Sequence, residues 1–310
     1  MTSDVKNNSV DQQLENDSDS SGFAPIYIVE FLYDQLPVLS VEKLRATLEK
    51  YTGIVKISEA GNELPSPFVQ EIADSEDENS HPLVFFHMDH KVSFEDVEVP
   101  AQSCIYEPRK IQDFTRFDVA LQQSFHWQNV RQTVEKCQYS IRIHDLFTAG
   151  LPYKQRFELI LGLVQAIEET APCKAMYWHG SEKLVHPTTY LEAVDLGEKL
   201  YGAVNLRLYS TGKEKVMIMD TLGLSSLGIP DIQCHFYGMD PSEVARDLLV
   251  ISKYLYDQGD IIHDGESIGT SADKAYLCEH QHALVVPERY VLDLNPGAKH
   301  AASQFNNNNE

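Results

Sequence analysis

The chain has 310 residues, 43% of them hydrophobic, which is enough for one large domain or two ordinary ones. Its 47 acidic and 25 basic residues give a formal net charge of -22, and a surface of that sign repels phosphate backbones and anionic lipids. Nucleic acids and membrane surfaces are therefore excluded as main partners, whereas basic proteins and cations are favoured. Solubility alone is the alternative explanation of the charge.

The cysteines and the N-terminus indicate where the protein resides. Five cysteines are scattered without a CxxC pair, and the polar N-terminus lacks the basic and apolar regions of a secretory leader. No apolar run approaches the roughly 18 residues of a membrane span. We therefore expect a cytoplasmic protein with reduced thiols and no membrane partner.

Both ends of the chain are predicted to be disordered. Residues 1–22 and 299–310 carry few apolar side chains, so burial cannot offset the entropy of ordering them. Between them we expect two α+β domains, 24–145 and 146–298. The acidic stretch at 59–80 is interpreted as a solvated loop, because it lacks the alternate ligand positions and turn glycine of a calcium loop.

The first half of the chain contains apolar strand segments and two helix segments. Residues 26–33 (IYIVEFLY) are β-branched and aromatic, which is typical of a buried strand. Ser40 is placed to cap a helix that Gly53 ends. Apolar residues from Trp127 to Cys137 recur at helical spacing. The predicted strands are 26–33, 54–57, 83–90, 92–97, 100–106 and 139–144, and the predicted helices are 40–51 and 117–136.

The second half continues this mixture. Asp240 is placed to cap a helix with Pro241 at its first position, and Gly259 is placed to end it. The other predicted elements are helices at 153–169 and 188–195 and strands at 175–179, 204–209, 216–219, 231–236, 261–262, 275–278 and 283–286. Strands and helices do not alternate strictly. The pattern therefore predicts an α+β fold, with mixed or antiparallel sheets and helices packed on one face.

A loop rich in glycine and serine, TLGLSSLGIPD at 221–231, is the first candidate site. It lacks the lysine of a phosphate-binding P-loop, a strand rather than a helix follows it, and Leu227 breaks the GxSxG pattern of a nucleophile elbow. A structural turn or a protein-contact loop is therefore favoured over catalysis. The candidate binding residues are Asp220, Thr221, Gly223, Ser225, Ser226, Gly228 and Asp231.

A second candidate site lies in the segment CEHQH at 278–282. Cysteine and histidine are the ligand types that Zn²⁺ prefers, and alternate residues of a strand point to one face. Alternate residues lie roughly 6–7 Å apart, so three of them on one strand bind a single ion only under strain. We predict no cofactor, and a zinc site is the alternative. Its candidate ligands are His235, His263, Cys278, His280 and His282.

The segments MDTLGLSSLGIPDIQCHF and GDIIHDGESIG resemble a bacterial domain family of unknown function, DUF4261. The resemblance covers about residues 203–298. It implies a bacterial, cytosolic origin and no established activity. The positions that carry it are Asp220, Thr221, Gly223, Leu227, Gly228, Pro230, Asp231, Gly259 and Gly265.

These observations favour a non-enzymatic protein-binding module. Its most specific form is an immunity-type protein that neutralises a basic partner, as the net charge of -22 and the absence of a complete catalytic motif suggest. The alternative is a metal-dependent hydrolase with a His/Cys/Asp site in the C-terminal half. A structural subunit of a larger bacterial machine is a third, weaker interpretation.

Overall fold

The computed structural model describes residues 22–57, 82–94, 97–271 and 274–302. The predicted acidic loop at 59–80, and residues 1–21 and 303–310 of the predicted disordered ends, lie outside this part of the chain. Within it the protein forms six α-helices and two β-sheets, one antiparallel and one mixed. The predicted α+β class is confirmed.

The described chain divides into two compact units. The N-terminal unit comprises residues 25–179 and 183–202, and the C-terminal unit comprises 22–24, 180–182 and 203–302. The division therefore falls near residue 202 rather than at the expected 145. The reason is long-range pairing, since the strand at 175–178 pairs with the first strand of the chain.

The N-terminal unit is built on one antiparallel sheet of eight strands. Its order is β2-β3-β4-β6-β1-β7-β8, and β5 pairs with β6 beside this path. The strands are β1 (Ile28–Tyr33), β2 (Val55–Ile57), β3 (Leu83–Phe94), β4 (Val97–Ile105), β5 (Arg109–Lys110), β6 (Tyr139–Leu146), β7 (Ala175–Trp178) and β8 (Lys183–Val185). The helices are α1 (Val41–Thr52), α2 (Asp118–Gln122), α3 (Val130–Val134), α4 (Tyr153–Thr170) and α5 (Pro187–Asp195).

Two predictions in this unit were wrong. The helix expected at 117–136 is two short helices, because the chain turns after Gln122 and the Ser124 hydroxyl donates to the carbonyl of Ala120 at 2.7 Å. The strands expected at 83–90 and 92–97 are largely one strand, β3, which pairs along most of its length with β4. Long-range pairing extends a strand where local composition suggests a break.

The C-terminal unit is built on a mixed sheet of six strands in the order β12-β13-β14-β11-β10-β9. The pair β11–β14 is parallel and the other pairs are antiparallel. Its strands are β9 (Asn205–Ser210), β10 (Val216–Leu222), β11 (Asp231–Tyr237), β12 (Ser267–Ser271), β13 (Lys274–His282) and β14 (Tyr290–Asn295), and its helix is α6 (Pro241–Gln258).

Helix α6 has the boundaries that its sequence predicts. The Asp240 carboxylate accepts a hydrogen bond from the amide of Ser242 at 2.9 Å, and Gly259 ends the helix with φ of 88°. Its buried stripe (Val244, Leu248, Ile251 and Leu255) packs toward β10 and β11. Local capping and an apolar stripe therefore fix this element.

The strands around α6 are less well predicted. The segments 261–262 and 283–286 are not strands, whereas β12 and β14 were not expected. Residues 299–302 were expected to be disordered, but Ala301 bridges to Phe236 and both Ala301 and Ala302 are buried. Within the described residues no helix is both long and apolar enough to cross a membrane.

Candidate functional site

The loop between β10 and β11 closes around one carboxylate. Asp231 accepts hydrogen bonds from the hydroxyls of Thr221 at 3.1 Å and Ser225 at 2.6 Å. It also accepts from the backbone amides of Gly223 at 3.2 Å and Leu224 at 3.0 Å. These donors occupy both oxygens of the carboxylate.

Two buried arginines complete this arrangement. Arg207 binds Asp220 in a bidentate manner, with N–O distances of 3.0 and 2.5 Å. Arg289 bridges the two carboxylates, since its Nη2 lies 2.8 Å from Asp220 and its Nε lies 3.2 Å from Asp231. All four side chains are at most 1% exposed. We call Arg207, Asp220, Asp231 and Arg289 the ion cluster.

The four side chains of the ion cluster are two positive and two negative, and the partly exposed Glu182 adds a further carboxylate 3.5 Å from Arg207. Burial raises the pKa of Asp220, against the opposing influence of Arg207 and Arg289. Arg289 also donates to the carbonyls of Thr221 and Pro287, both at 2.8 Å. The cluster therefore ties strands β9, β10 and β11 to the chain that leads into β14.

Glycine conformation keeps the loop tight against its surroundings. Gly223 has φ of 134°, and a Cβ placed there would lie 1.9 Å from the carbonyl oxygen of Ala203. Gly228 has φ of 78° and ends the short 3₁₀ turn that includes Ser225 and Ser226. Ser226 accepts, through its carbonyl, a hydrogen bond from the amide of Ala24 at 3.2 Å.

The structure thus brings the seven candidate loop residues into one region, but in a closed form. Leu224, Leu227 and Ile229 are buried beside them. Ser225 and Ser226 are also buried, at 2% and 4% exposure. The sequence did not identify Arg207 and Arg289, which are the charges that close the site. Six of the seven candidate loop residues are buried and hold the loop, and only Gly228 among them is exposed.

The zinc candidates do not gather. Cys278 is buried, with its Sγ 3.6 Å from the carbonyl of Tyr276. The ring of His280 lies between two carboxylates, with Nδ1 at 2.8 Å from Asp264 and Nε2 at 3.2 Å from Asp260. Hydrogen bonds from the amide and ring of His280 lower the pKa of Asp264.

The other three candidates have different contacts. His282 packs against the ring of Tyr290, with centroids 4.4 Å apart. His235 lies on β11, and its buried Nε2 has no hydrogen-bond partner among the described residues. The amide of His263 donates to Glu266. Across the described ranges, no group of three or more His, Cys, Asp or Glu residues could hold a metal ion.

An open groove lies on the same unit, and sequence reasoning missed it. It runs between α6 and β12, with a volume of about 740 Å³. Apolar side chains dominate its lining, and several are exposed, including Val250 at 52% and Ile261 at 46%. The principal lining residues are Val250, Tyr254, Ile261, Ile262, Glu266 and Ile268.

A trace of this groove is present in the sequence of α6. Leu249, Val250 and Tyr254 are large apolar residues that fall outside the buried stripe of the helix. A helix that packs on one face usually carries polar residues at such positions. A second apolar row was therefore the available indication of an exposed surface.

The charge around the groove is predominantly negative. The segment from Glu243 to Gly269 contains six acidic and two basic residues. One of the two basic side chains, Lys253, is paired with Asp257 at 3.3 Å, and Glu266 lines the groove itself. An approaching segment therefore meets an apolar floor whose acidic border is formed by Glu266.

A smaller cavity of about 280 Å³ lies in the N-terminal unit, lined by His126, Trp127, His186, Thr189 and Tyr201. Behind it, Lys183 donates a hydrogen bond to the carbonyl of Tyr201, and its Nζ lies 4.5 Å from the centroid of the Tyr201 ring. Burial lowers the pKa of Lys183 to about 7. The amine is engaged by Tyr201, so this cavity offers less to a ligand than the groove does.

The fold and these two features define the C-terminal unit as an α+β module with a buried polar cluster and an open apolar groove. Residues 220–295 match the family model described as a domain of unknown function, DUF4261. The resemblance to this family seen in the sequence is therefore confirmed for residues 220–295. No curated protein and no solved structure matches the chain.

Proposed function

We propose that the DUF4261 region is a protein-binding module whose groove receives a basic, partly apolar segment of another protein. The observation that carries this proposal is the exposed apolar lining of the groove. Val250, Tyr254 and Ile261 are between 42% and 52% exposed and lie together. Contiguous exposed apolar surface with a polar border is typical of interaction sites.

Charge supports the choice of a basic partner. The whole chain carries -22, and the segment that forms the groove has three times as many acidic as basic residues, six against two. Such a field accelerates encounters with positively charged proteins and repels acidic ones. Neutralisation of a basic partner, as by an immunity protein, is the specific role that fits this chemistry.

The ion cluster supports the module in a different way. It is closed and electrically balanced, so it contributes no net charge to steer a partner. It joins β10 and β11 to the start of β14, and from β14 the sheet continues through β13 to β12. We therefore place recognition at the groove and assign the glycine loop a structural role.

Two neighbouring residues of α6 provide a matched test. Val250 lines the groove, whereas Leu249 is exposed to a similar extent, 49% against 52%, and does not line it. The probe is an array of synthetic peptides that combine valine and lysine, beside the same peptides with glutamate in place of lysine. We expect the lysine peptides to bind, Val250→Asp to weaken that binding at least about tenfold, and Leu249→Asp to leave it nearly unchanged.

Three results would count against the proposal. One is equal binding of the lysine and glutamate peptides, because the acidic border would then have no role. Another is the same loss for both aspartate variants, which would indicate a general charge effect. The third is binding that does not weaken when salt is raised from about 0.05 to 0.5 M, because exposed charges are screened over that range.

A further inference from the structure

Strand β12 forms an open edge of the C-terminal sheet. On one side it pairs with β13, and among the described residues no strand pairs with its other side. Its sequence, SIGTS at 267–271, contains neither a charged residue nor a proline. Natural edge strands usually carry such residues to prevent further pairing, so β12 itself lacks two common protections, although the charged Glu266 directly precedes it.

A register shift between Ile268 and Ser271 limits where another strand could pair. A bulge of this kind bends the strand, so the regular part of the edge lies at Ser267 and Ile268 and in the residues leading to them. The amide of Cys278 donates to the carbonyl of Glu266 at 2.8 Å, which continues the pairing with β13 before β12 begins. The available edge is therefore short and adjoins the groove.

The groove lies directly beside this edge. Glu266, Ser267, Ile268 and Gly269 line it on the strand side, and α6 lines it on the other. A strand added to β12 would point every second side chain to the face that α6 covers. Those side chains would enter the groove, while the ones between them would point to the opposite face.

That opposite face has the character that basic side chains require. Along β13, Tyr276 and Cys278 are buried, and the Tyr276 hydroxyl donates to Asp247 of α6 at 2.7 Å, which places these residues on the helix side. Leu277 and Glu279 alternate with them and are exposed. A lysine or arginine on the outer face of an added strand would therefore project from the same face of the sheet as the Glu279 carboxylate.

We propose that the partner segment binds as an additional β-strand along β12, an inference that rests on the proposed function of the groove. The segment is extended, with apolar residues at every second position directed into the groove and lysine or arginine between them. Main-chain hydrogen bonds to β12 supply affinity, and the groove selects the side chains. A second copy of this chain is disfavoured as the occupant, because both borders would be acidic.

Backbone methylation gives a direct test. The parent probe is a capped, fluorescently labelled peptide of about nine residues that alternates valine and lysine, long enough to span β12. Two variants carry N-methyl groups on all valine amides or on all lysine amides. In an extended strand these two sets of amides point to opposite edges, so only one set can pair with β12.

We expect one methylated peptide to bind about tenfold or more weakly than the parent, and the other to bind within about threefold of it. Amide hydrogen exchange around Ser267 and Ile268 should slow when the parent peptide is bound. Fluorescence anisotropy and exchange measured on the full chain report both effects.

The outcomes separate the two proposals. If both methylated peptides bind like the parent, or both equally weakly, and Val250→Asp still abolishes binding, strand addition is wrong while the groove remains a binding site. If the parent peptide does not bind, or Val250→Asp has no effect on it, the proposed function itself fails. Sedimentation that shows a dimer dissociated by the peptide would identify a second copy as the occupant and overturn the proposal.

Discussion

The ion cluster and the groove lie in the same unit, yet they differ in how their polar groups are satisfied. In the ion cluster, Asp231 receives donors from its own loop and from Arg289, and almost no surface is left for water. At the groove, β12 retains an edge without a strand partner in the described chain, and Val250 is 52% exposed. A cluster of polar residues in the sequence therefore marked a structural centre. The proposed interaction surface is marked instead by apolar residues at positions where polar residues were expected.

The largest expected effect is the loss of stability when the ion cluster is broken. Asp231→Ala leaves Arg289 buried without one of its carboxylates and removes the acceptor of the loop amides. Breaking a buried pair in this way costs about 3–5 kcal/mol. Urea unfolding followed by far-UV circular dichroism should show this loss in the C-terminal unit.

The matched control is Asp240→Ala at the exposed cap of α6. It removes one capping hydrogen bond and should cost about 1 kcal/mol. If Asp231→Ala is no more destabilising than this control, the ion cluster is not the structural centre of the unit.

A buried histidine of the N-terminal unit is expected to make the stability of that unit depend on pH. His87 is fully buried, and burial, followed by the charge of His90, lowers its pKa from 6.5 to about 4. The folded state therefore favours the neutral ring. Above pH 6.5 the ring is neutral in both the folded and the unfolded chain, so His87 does not oppose folding. As pH falls from 6.5 to about 4, the unfolded chain takes up the proton first, and the free energy of unfolding decreases by about 3 kcal/mol in total.

Tryptophan fluorescence measures this effect within one unit, because Trp127 and Trp178 are the two tryptophans of the chain and both lie in the N-terminal unit. His87→Gln keeps a hydrogen-bonding group for Ser103, which lies 2.7 Å from the histidine Nε2. We expect the variant to lose less stability than the native chain between pH 6.5 and 4. Parallel pH profiles would contradict the assignment.

A smaller effect, on peptide binding, is expected at the groove. Tyr254 lines the groove and is 42% exposed, so Tyr254→Ala removes contact area from a partner but little from the core. We expect weaker binding of the valine–lysine peptide by about 1–2 kcal/mol, with the free energy of unfolding changed by less than about 0.5 kcal/mol. A loss of stability as large as the loss of binding would mean that Tyr254 supports the fold instead.

The smallest expected effect concerns metal. Cys278 faces the core while His280 is held between Asp260 and Asp264, so they do not converge on one ion. Added zinc, or removal of metal with EDTA, should leave the thermal midpoint of the C-terminal unit unchanged. A rise in that midpoint with zinc that disappears in His280→Ala would restore the zinc hypothesis.

Prediction from sequence succeeded where the determinants are local. The cap at Asp240, the stop at Gly259 and the apolar stripe between them fix α6 within about one residue at each end. It failed for β12 because SIGTS has low strand propensity and becomes a strand through pairing with β13. It also placed the division between the units too early, because β7 returns to pair with β1 across a large separation in the chain.

The candidate site divides in the same way. The sequence by itself determined the seven loop residues as one group, since turn glycines and short polar side chains within a dozen positions must lie close together. Only the tertiary structure decided that the group is closed, because Arg207 and Arg289 reach Asp220 from 13 and 69 residues away. The groove was likewise decided by which strand lies at the edge of the sheet, and that order depends on pairings among β11, β13 and β14 that no local pattern specifies.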